Sequence, residues 1–308
     1  MREDVAVRLV QPDGFDWSAD SGTAADVRRI VAAADAGDGV SNLNEAACLH
    51  LKNRGLAGAV LHVADGGFAL LYDGTLDLVV APDARRHGVG SALATAALAD
   101  IRDGVDAWSH ADHPAAIRIA ERLGLSRDRE LWVMERPLAD PLPASEPTPG
   151  YRVRSFRPGD EEGLLEVNSL AFAHHPEQGH MTRDDFQERQ SEPWFDPAGL
   201  FVAVPDERDG DEDSHEPQVL GFHWTKVHPE EGGQGTGEVY VVAVNPKAAG
   251  RGIGKVLTNV GLRHLRDLGL ARVILYVDAD NDPAIAVYTR AGFSHIRTEA
   301  QYRGVPGV

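Results

Sequence analysis

Two short glycine turns, Arg85-Arg86-His87-Gly88-Val89-Gly90 and Ala249-Gly250-Arg251-Gly252-Ile253-Gly254, each follow an apolar run and each open a helix-like segment. The runs, Leu76-Asp77-Leu78-Val79-Val80-Ala81-Pro82 and Val239-Tyr240-Val241-Val242-Ala243-Val244-Asn245-Pro246, both end in proline shortly before the turn. A strand therefore stops and a helix starts at each place. Glycine lets backbone N–H groups approach a ligand with no Cβ in the way, and a helix N-terminus offers unpaired donors and a partial positive charge. Such a turn suits a phosphate, and this chain carries it twice.

The repeat is longer than the turn. Pro114-Ala115-Ala116 through Arg122-Leu123-Gly124-Leu125 echoes Pro283-Ala284-Ile285 through Arg290-Ala291-Gly292-Phe293. Gly88 and Gly252 lie 164 positions apart, and Gly124 and Gly292 lie 168 apart. Offsets so close indicate two copies of one supersecondary unit. The 308-residue length agrees, since it leaves each copy enough chain for its own core.

Charge narrows the partners. With 30 Lys and Arg against 48 Asp and Glu, the net charge of −18 repels nucleic acid and anionic membranes over most of the exterior. An anionic ligand must then bind at local basic patches, which Arg85, Arg86 and His87 supply in one copy and Lys247, Arg251 and Lys255 in the other. The single cysteine, Cys48, excludes an internal disulfide framework, and its apolar neighbours suggest core packing rather than a nucleophile. No stretch reaches the roughly 20 apolar residues of a membrane span, and no leader pattern opens the chain, so a soluble, cytoplasmic protein is expected. A monomer is expected as well.

Periodicity predicts helices over 24–36 and around Leu43–Leu51, then a hairpin turning at Asp65-Gly66 into the Leu76–Ala81 strand. A helix over 90–103, a strand over 104–109 and a helix over 114–123 complete the first copy. The proline-rich stretch 137–150 reads as a linker between a domain at 1–136 and a domain at 151–308. The second copy repeats the order: strand 151–156, helix 160–173, strands 200–204, 219–225 and at Val239, helix 252–268, strand 272–277 and helix 283–291. Residues 205–217 are acidic and nearly devoid of apolar side chains, as expected of a solvated loop. Helices alternating with strands around a mixed sheet give an α/β (α+β) fold in each copy.

Asn281-Asp282-Pro283-Ala284-Ile285-Ala286-Val287-Tyr288-Thr289-Arg290-Ala291-Gly292-Phe293 resembles the Asn-x-x-Ala-x-x-x-Tyr-x-x-x-Gly-Phe segment of GCN5-related N-acetyltransferases (GNAT), and the glycine turn resembles their acyl-CoA pyrophosphate loop. The resemblance implies two tandem GNAT domains, each a mixed sheet flanked by helices, with acetyl-CoA as co-substrate. It is closest to tandem members whose acceptor is a small amine, the cysteinyl amine of cysteinyl-glucosaminyl-inositol. It covers nearly the whole chain, including Ala173–Gly179, Glu192–Pro197, Leu220–Pro229, Gly237–Val242 and Leu275–Val277. One departure is Ala249, where the family loop usually begins with Arg or Gln.

Transfer from a thioester to an amine needs a neutral amine, a polarised carbonyl and a protonated leaving thiol. Glu238 precedes Tyr240 by two residues and Val242 by four, so regular strand alternation places all three on one face. It is the expected general base, acting through water. By resemblance Tyr288 protonates the departing sulfur. The same resemblance assigns acetyl-CoA to Val242, Ala243, Val244, Ala249, Gly250, Arg251, Gly252, Ile253, Gly254, Lys255, Asn281, Asp282, Pro283, Ala284, Ile285 and Ala286 in the second copy. In the first copy it assigns the cofactor to Leu78, Val79, Val80, Arg85, Arg86, His87, Gly88, Val89 and Gly90. It assigns the acceptor to Glu45, Glu177, Lys226, Glu238 and Tyr276.

Counting back from Gly124, Ala120 stands where the second copy has Tyr288, and His113 stands for Asn281. The first copy is therefore expected to bind acetyl-CoA without catalysis. His174, His175, His180, His223 and His228 show no His-Glu-x-x-His spacing and no cysteine joins them, so no metal is expected. Two other readings stay open: a tandem acetyltransferase for another amine, such as an aminoglycoside or a protein N-terminus, and a non-enzymatic acyl-CoA sensor.

Overall fold

The computed structural model describes residues 5–142, 149–173, 178–206, 219–229 and 235–305. These residues form two compact units that cut across a contiguous division: Met1–Trp132 with Asp278–Asp280 and Arg297–Val308, and Val133–Val277 with Asn281–Ile296. Strand pairing is the reason. The last strand of the chain sends its end to the first unit, and the strand running into the 137–150 stretch sends its end to the second.

In the first unit the strands β1 (Arg8–Leu9), β2 (Ala59–Ala64), β3 (Gly67–Tyr72), β4 (Thr75–Val80) and β5 (Val105–Ser109) are neighbours in that order. The first four are antiparallel and β4 meets β5 in parallel. Helices α1 (Thr23–Asp38) and α2 (Glu45–Arg54) pack on one face through Val27, Ile30, Ala47 and Leu51 against Leu61, Phe68 and Leu70. Helices α3 (Val89–Leu98) and α4 (Pro114–Leu123) cover the other through Leu93, Ala97, Ala120 and Leu123. Sequence sets the ends of these helices. Asn44 accepts a hydrogen bond from Ala47 N at 2.7 Å to start α2, while α4 starts at Pro114 and stops at Gly124, which takes a left-handed φ of 73°.

Three strands have no counterpart in the sequence expectations. They are β1, β6 (Ser126–Pro137) and β12 (Ser294–Gly304). Their charged stretches Ser126-Arg-Asp-Arg-Glu130 and His295-Ile-Arg-Thr-Glu299 hide the alternation that marks a strand. Arg297–Gly304 of β12 nonetheless belongs to the first unit, where Ala300–Gly304 pairs antiparallel with Ser109–Val105. The linker reading also changes at its start: Pro137 ends β6, and Leu138 is buried in the second unit and donates its N–H to Ala271 O at 2.9 Å.

The second unit orders β7 (Tyr151–Ser155), β8 (Leu200–Pro205), β9 (Gly221–His228), β10 (Thr236–Val244) and β11 (Arg272–Asp278), with β6 next to β11. Helices α5 (Glu161–Ala171) and α6 (Arg183–Gln190) lie over a core of Phe186, Phe222 and Trp224; α7 (Ile253–Asp267) covers the opposite face through Ile253 and Leu257. Helix α6 escaped the periodicity because it is polar almost all round, yet its Thr182–Asp185 capping box is complete. Helix α8 (Asp282–Arg290) follows β11. Its C-terminal carbonyl at Ala291 accepts a 2.5 Å hydrogen bond from the buried guanidinium of Arg136, which also reaches Pro137 O and Asp140 O.

Candidate active site

Both glycine turns build the same local device. Gly88 caps α3 with φ 91° and Gly252 caps α7 with φ 74°, so each helix begins on a left-handed glycine that exposes its first N–H groups. The residue two before each cap is left-handed as well: Gly250 at φ 81° in the second unit, and Arg86 at φ 66° in the first. Glycine adopts this conformation without strain, whereas arginine costs about 1 kcal/mol or more there.

Ahead of each turn two parallel strands part. In the second unit β10 meets β11 only through Gly237–Val239 against Val273–Leu275, although its ladder with β9 continues to Val244. In the first, β4 meets β5 only at Thr75 and Leu76, although its ladder with β3 runs to Val80. A wedge between strands with a helix N-terminus at its end fits an extended acyl-CoA arm, whose amides can bond the exposed strand edge and whose pyrophosphate can bond the turn.

In the first unit this wedge opens into a cavity of about 710 Å³. Leu78, Val79, Val80, Arg85, Arg86, Gly88 and Gly90 line it, together with Trp108, Ser109, His110, His113 and Ala120. His87 is exposed and does not line it, while Val89, the first residue of α3, is buried in the core. Arg85 lines the cavity with its guanidinium already engaged. Its guanidinium is committed to Asp38 through two 2.7 Å hydrogen bonds and to Val80 O at 2.9 Å. It holds the turn to α1. His113, expected in the place of Asn281, caps α4 by accepting from Ala115 N at 3.1 Å, just as Asn281 caps α8 by accepting from Ala284 N at 3.1 Å. Both side chains are thus occupied as caps.

The second unit concentrates the reactive groups. Its β10 register shifts at Tyr240, and this bulge overturns the expected common face for Glu238, Tyr240 and Val242. Tyr240 and Val241 both pack into the core under α5 and α6, so Val242 turns to the other side. Glu238 stays with Tyr240: it lies directly opposite Lys226 on β9, whose Nζ sits 4.5 Å from the Trp194 ring centroid and 5.0 Å from that of Tyr240. Arg189 of α6 donates to Tyr240 Oη at 3.0 Å. Glu238 is buried and hydrogen-bonded to His228 Nε2.

Tyr288 lies midway along α8, half-buried, with its ring 5.9 Å edge-on from Phe293. Burial pushes its phenol up to about 12, so it stays protonated and able to donate. Tyr276 is 40% exposed on β11. Asp282, Pro283, Ala284, Ile285 and Ala286 form the first turns of α8, and Lys255 is exposed on α7. Arg251 donates to Gly150 O at 3.2 Å. Glu45 opens α2 in the first unit. Glu177 lies outside the described residues, as do His174, His175 and the acidic segment from 207. Among the described residues no cluster of three His, Cys, Asp or Glu side chains is placed to hold a metal ion. His223 is a core residue, fully buried with Nδ1 on Leu257 O at 2.8 Å, and burial pulls its pKa down to about 4.

Sequence reasoning assigned no role to Trp194 and Tyr240, which flank Lys226, or to Arg189, which donates to Tyr240. The signals for the first two were the Glu192–Pro197 and Gly237–Val242 stretches, and Arg189 had none. It missed the partner of Glu238 as well, having considered His228 only as a metal ligand.

Comparison with known proteins decides the family. The profile of the acetyltransferase (GNAT) family matches residues 42–125 and 165–293, one segment in each copy. A mycothiol acetyltransferase of Nocardioides sp. is 49% identical over 289 residues, covering 90% of this chain and 96% of that protein. The chain belongs to the GNAT acetyltransferases, within the mycothiol acetyltransferase family. A second such enzyme, from Catenulispora acidiphila, is 46% identical over 91% of this chain and 94% of its own length. Two solved structures share the fold: a GCN5-related N-acetyltransferase from Sphaerobacter thermophilus (TM-score 0.65, 24% identity, 97% of this chain and 95% of that one) and a tandem GNAT protein from the clavulanic acid biosynthesis pathway (TM-score 0.63, 17% identity, 98% of each). The chain is thus an acetyl-CoA-dependent N-acetyltransferase with two GNAT domains.

Proposed function

We propose that the chain transfers the acetyl group of acetyl-CoA to the cysteinyl amine of cysteinyl-glucosaminyl-inositol, forming mycothiol, and that its second copy performs the chemistry. The observation that carries this reading is the buried carboxylate of Glu238 at the bulge of β10, where that strand leaves β11. An α-amine titrates near about 7.7–8.0, so a carboxylate can take its proton near neutrality, directly or through one water. When bound, acetyl-CoA supplies an activated thioester. The edge of β10 from Val242 to Val244 supports its arm, and the N-terminus of α7 takes its pyrophosphate. Tyr288, kept neutral by burial, donates a proton to the sulfur as it leaves.

Lys226, held over Trp194 and Tyr240, with Tyr276, Glu177 and Glu45, is assigned to the polyol acceptor. A sugar–inositol presents many hydroxyls, and aromatic walls with a nearby cation suit such a ligand. The first copy binds acetyl-CoA in its cavity without turning it over. We further propose that the protein works as a monomer in the cytoplasm; no helix among the described residues is long and apolar enough to cross a membrane.

Release of CoA, followed with cysteinyl-glucosaminyl-inositol and separately with glucosamine, an aminoglycoside and an N-terminal peptide, tests the reading. Turnover at least about a hundredfold more efficient with the first acceptor is expected. Equal efficiency with another amine would move the assignment to that amine, and no release with any of them would leave only a binding protein.

A further inference from the structure

His228 ends β9 two residues after Lys226, the residue directly opposite Glu238. Residues two apart on a strand share a face, so the imidazole reaches diagonally across the ladder, and its Nε2 meets Glu238 Oε2. The two partners differ in exposure. The Glu238 side chain is 7% exposed and that of His228 is 39% exposed, so the histidine stands between a buried carboxylate and solvent.

An ionised carboxylate only accepts hydrogen bonds, hence the ring nitrogen facing it must carry the hydrogen. A buried carboxylate with no donor is also free to turn, so neither oxygen has a fixed place. We propose that His228 is the positioning residue of the second copy: its imidazole donates through Nε2 to Glu238 Oε2, fixes the carboxylate in one orientation, and leaves Oε1 to receive the proton of the incoming amine. This rests on the reading of Glu238 as the base. No proton leaves the pair through His228 in the forward step, since Nε2 already holds its hydrogen.

The test is steady-state CoA release by the full chain for the wild type, His228→Ala, His228→Gln and Glu238→Gln. His228→Ala is expected to lower kcat about tenfold with the KM for acetyl-CoA within about twofold of the wild type. His228→Gln, whose amide can donate to the same oxygen, should recover kcat to within about threefold of the wild type. Full kcat in His228→Ala, or equal loss in the Ala and Gln variants, would overturn the proposal. Glu238→Gln separates the two readings. If it is inactive while His228→Ala is normal, only the role of His228 fails; if it turns over normally, the base assignment fails and this inference with it.

Discussion

The first unit holds a cavity of about 710 Å³ at its wedge and the second holds the candidate carboxylate and phenol, although both carry the same wedge and the same glycine-capped helix. The parallel ladders align Thr75, opposite Asp106, with Glu238, opposite Ile274, once the copies are matched through Gly124 and Gly292. Ala120 likewise stands for Tyr288. The first copy therefore offers a hydroxyl and a methyl where the second offers a carboxylate and a phenol. Backbone geometry differs too: β10 is bulged at Tyr240, whereas β3 and β4 pair without a shift from Gly67–Val80 to Tyr72–Thr75. Binding an acyl-CoA asks only for exposed N–H groups and a wedge, which a duplicated backbone reproduces. The proposed transfer asks for particular side chains, and Glu238 and Tyr288 have no like residue at the matched positions of the first copy.

The sharpest way to break this contrast is to remove the carboxylate. Glu238→Ala is expected to lower kcat at least about a hundredfold with little change in acetyl-CoA affinity, because it acts on the reacting amine. Normal turnover in that variant would shift the chemistry elsewhere, and the first copy would be the next place to look. Tyr288→Phe should cost about tenfold to a hundredfold in kcat. With its phenol pushed up to about 12, Tyr288 remains an acid throughout the working range, so kcat should show no basic limb from it below about pH 11. A limb near pH 10 that disappears in Tyr288→Phe would contradict the placement.

The two glycine turns, the hairpin at Asp65-Gly66 and α4 with its proline start and glycine stop were legible because each rests on local backbone chemistry. Glu238 and Tyr288 were singled out through family resemblance, since a strand glutamate and a helix tyrosine look ordinary by themselves. What stayed hidden was non-local. Strand alternation cannot announce a bulge, so Val242 was assigned to the wrong face. The exchange of β6 and β12 ends between the units depends on pairing across more than 150 residues, written in segments whose charges mask the pattern. The partner of Arg85, Asp38, was hidden for the same reason, lying 47 residues upstream.

Glycine substitutions sharpen the comparison at the shared device. Gly252→Val puts a β-branched side chain at φ 74° beside the expected phosphate, and should raise the KM for acetyl-CoA about tenfold or more. Gly88→Val does the same at φ 91° in the first unit and should remove one of two acetyl-CoA binding events seen by calorimetry. Two remaining binding events in Gly88→Val would mean that the first cavity takes its ligand without the turn.

The smallest effect concerns Arg85, which has no side-chain equivalent at Ala249. Because Asp38 and Val80 O already occupy its guanidinium, Arg85→Ala should act on stability before it acts on binding. The side chains are 25% and 15% exposed, so the loss after allowing for solvent screening is about 1–2 kcal/mol. The hydrogen bonds from Arg85 hold the Asp38 carboxyl below its usual range. A depressed carboxylate stabilises the fold above its unfolded pKa, near about 3.9, and that contribution is lost as pH falls through the folded value. Thermal melts should therefore separate wild type from Arg85→Ala at pH 7 and draw together as the pH falls through the lowered folded value of Asp38. If the melts coincide at pH 7 while acetyl-CoA binding to the first unit weakens, Arg85 is a phosphate ligand after all, and the two copies hold their pyrophosphates by different means.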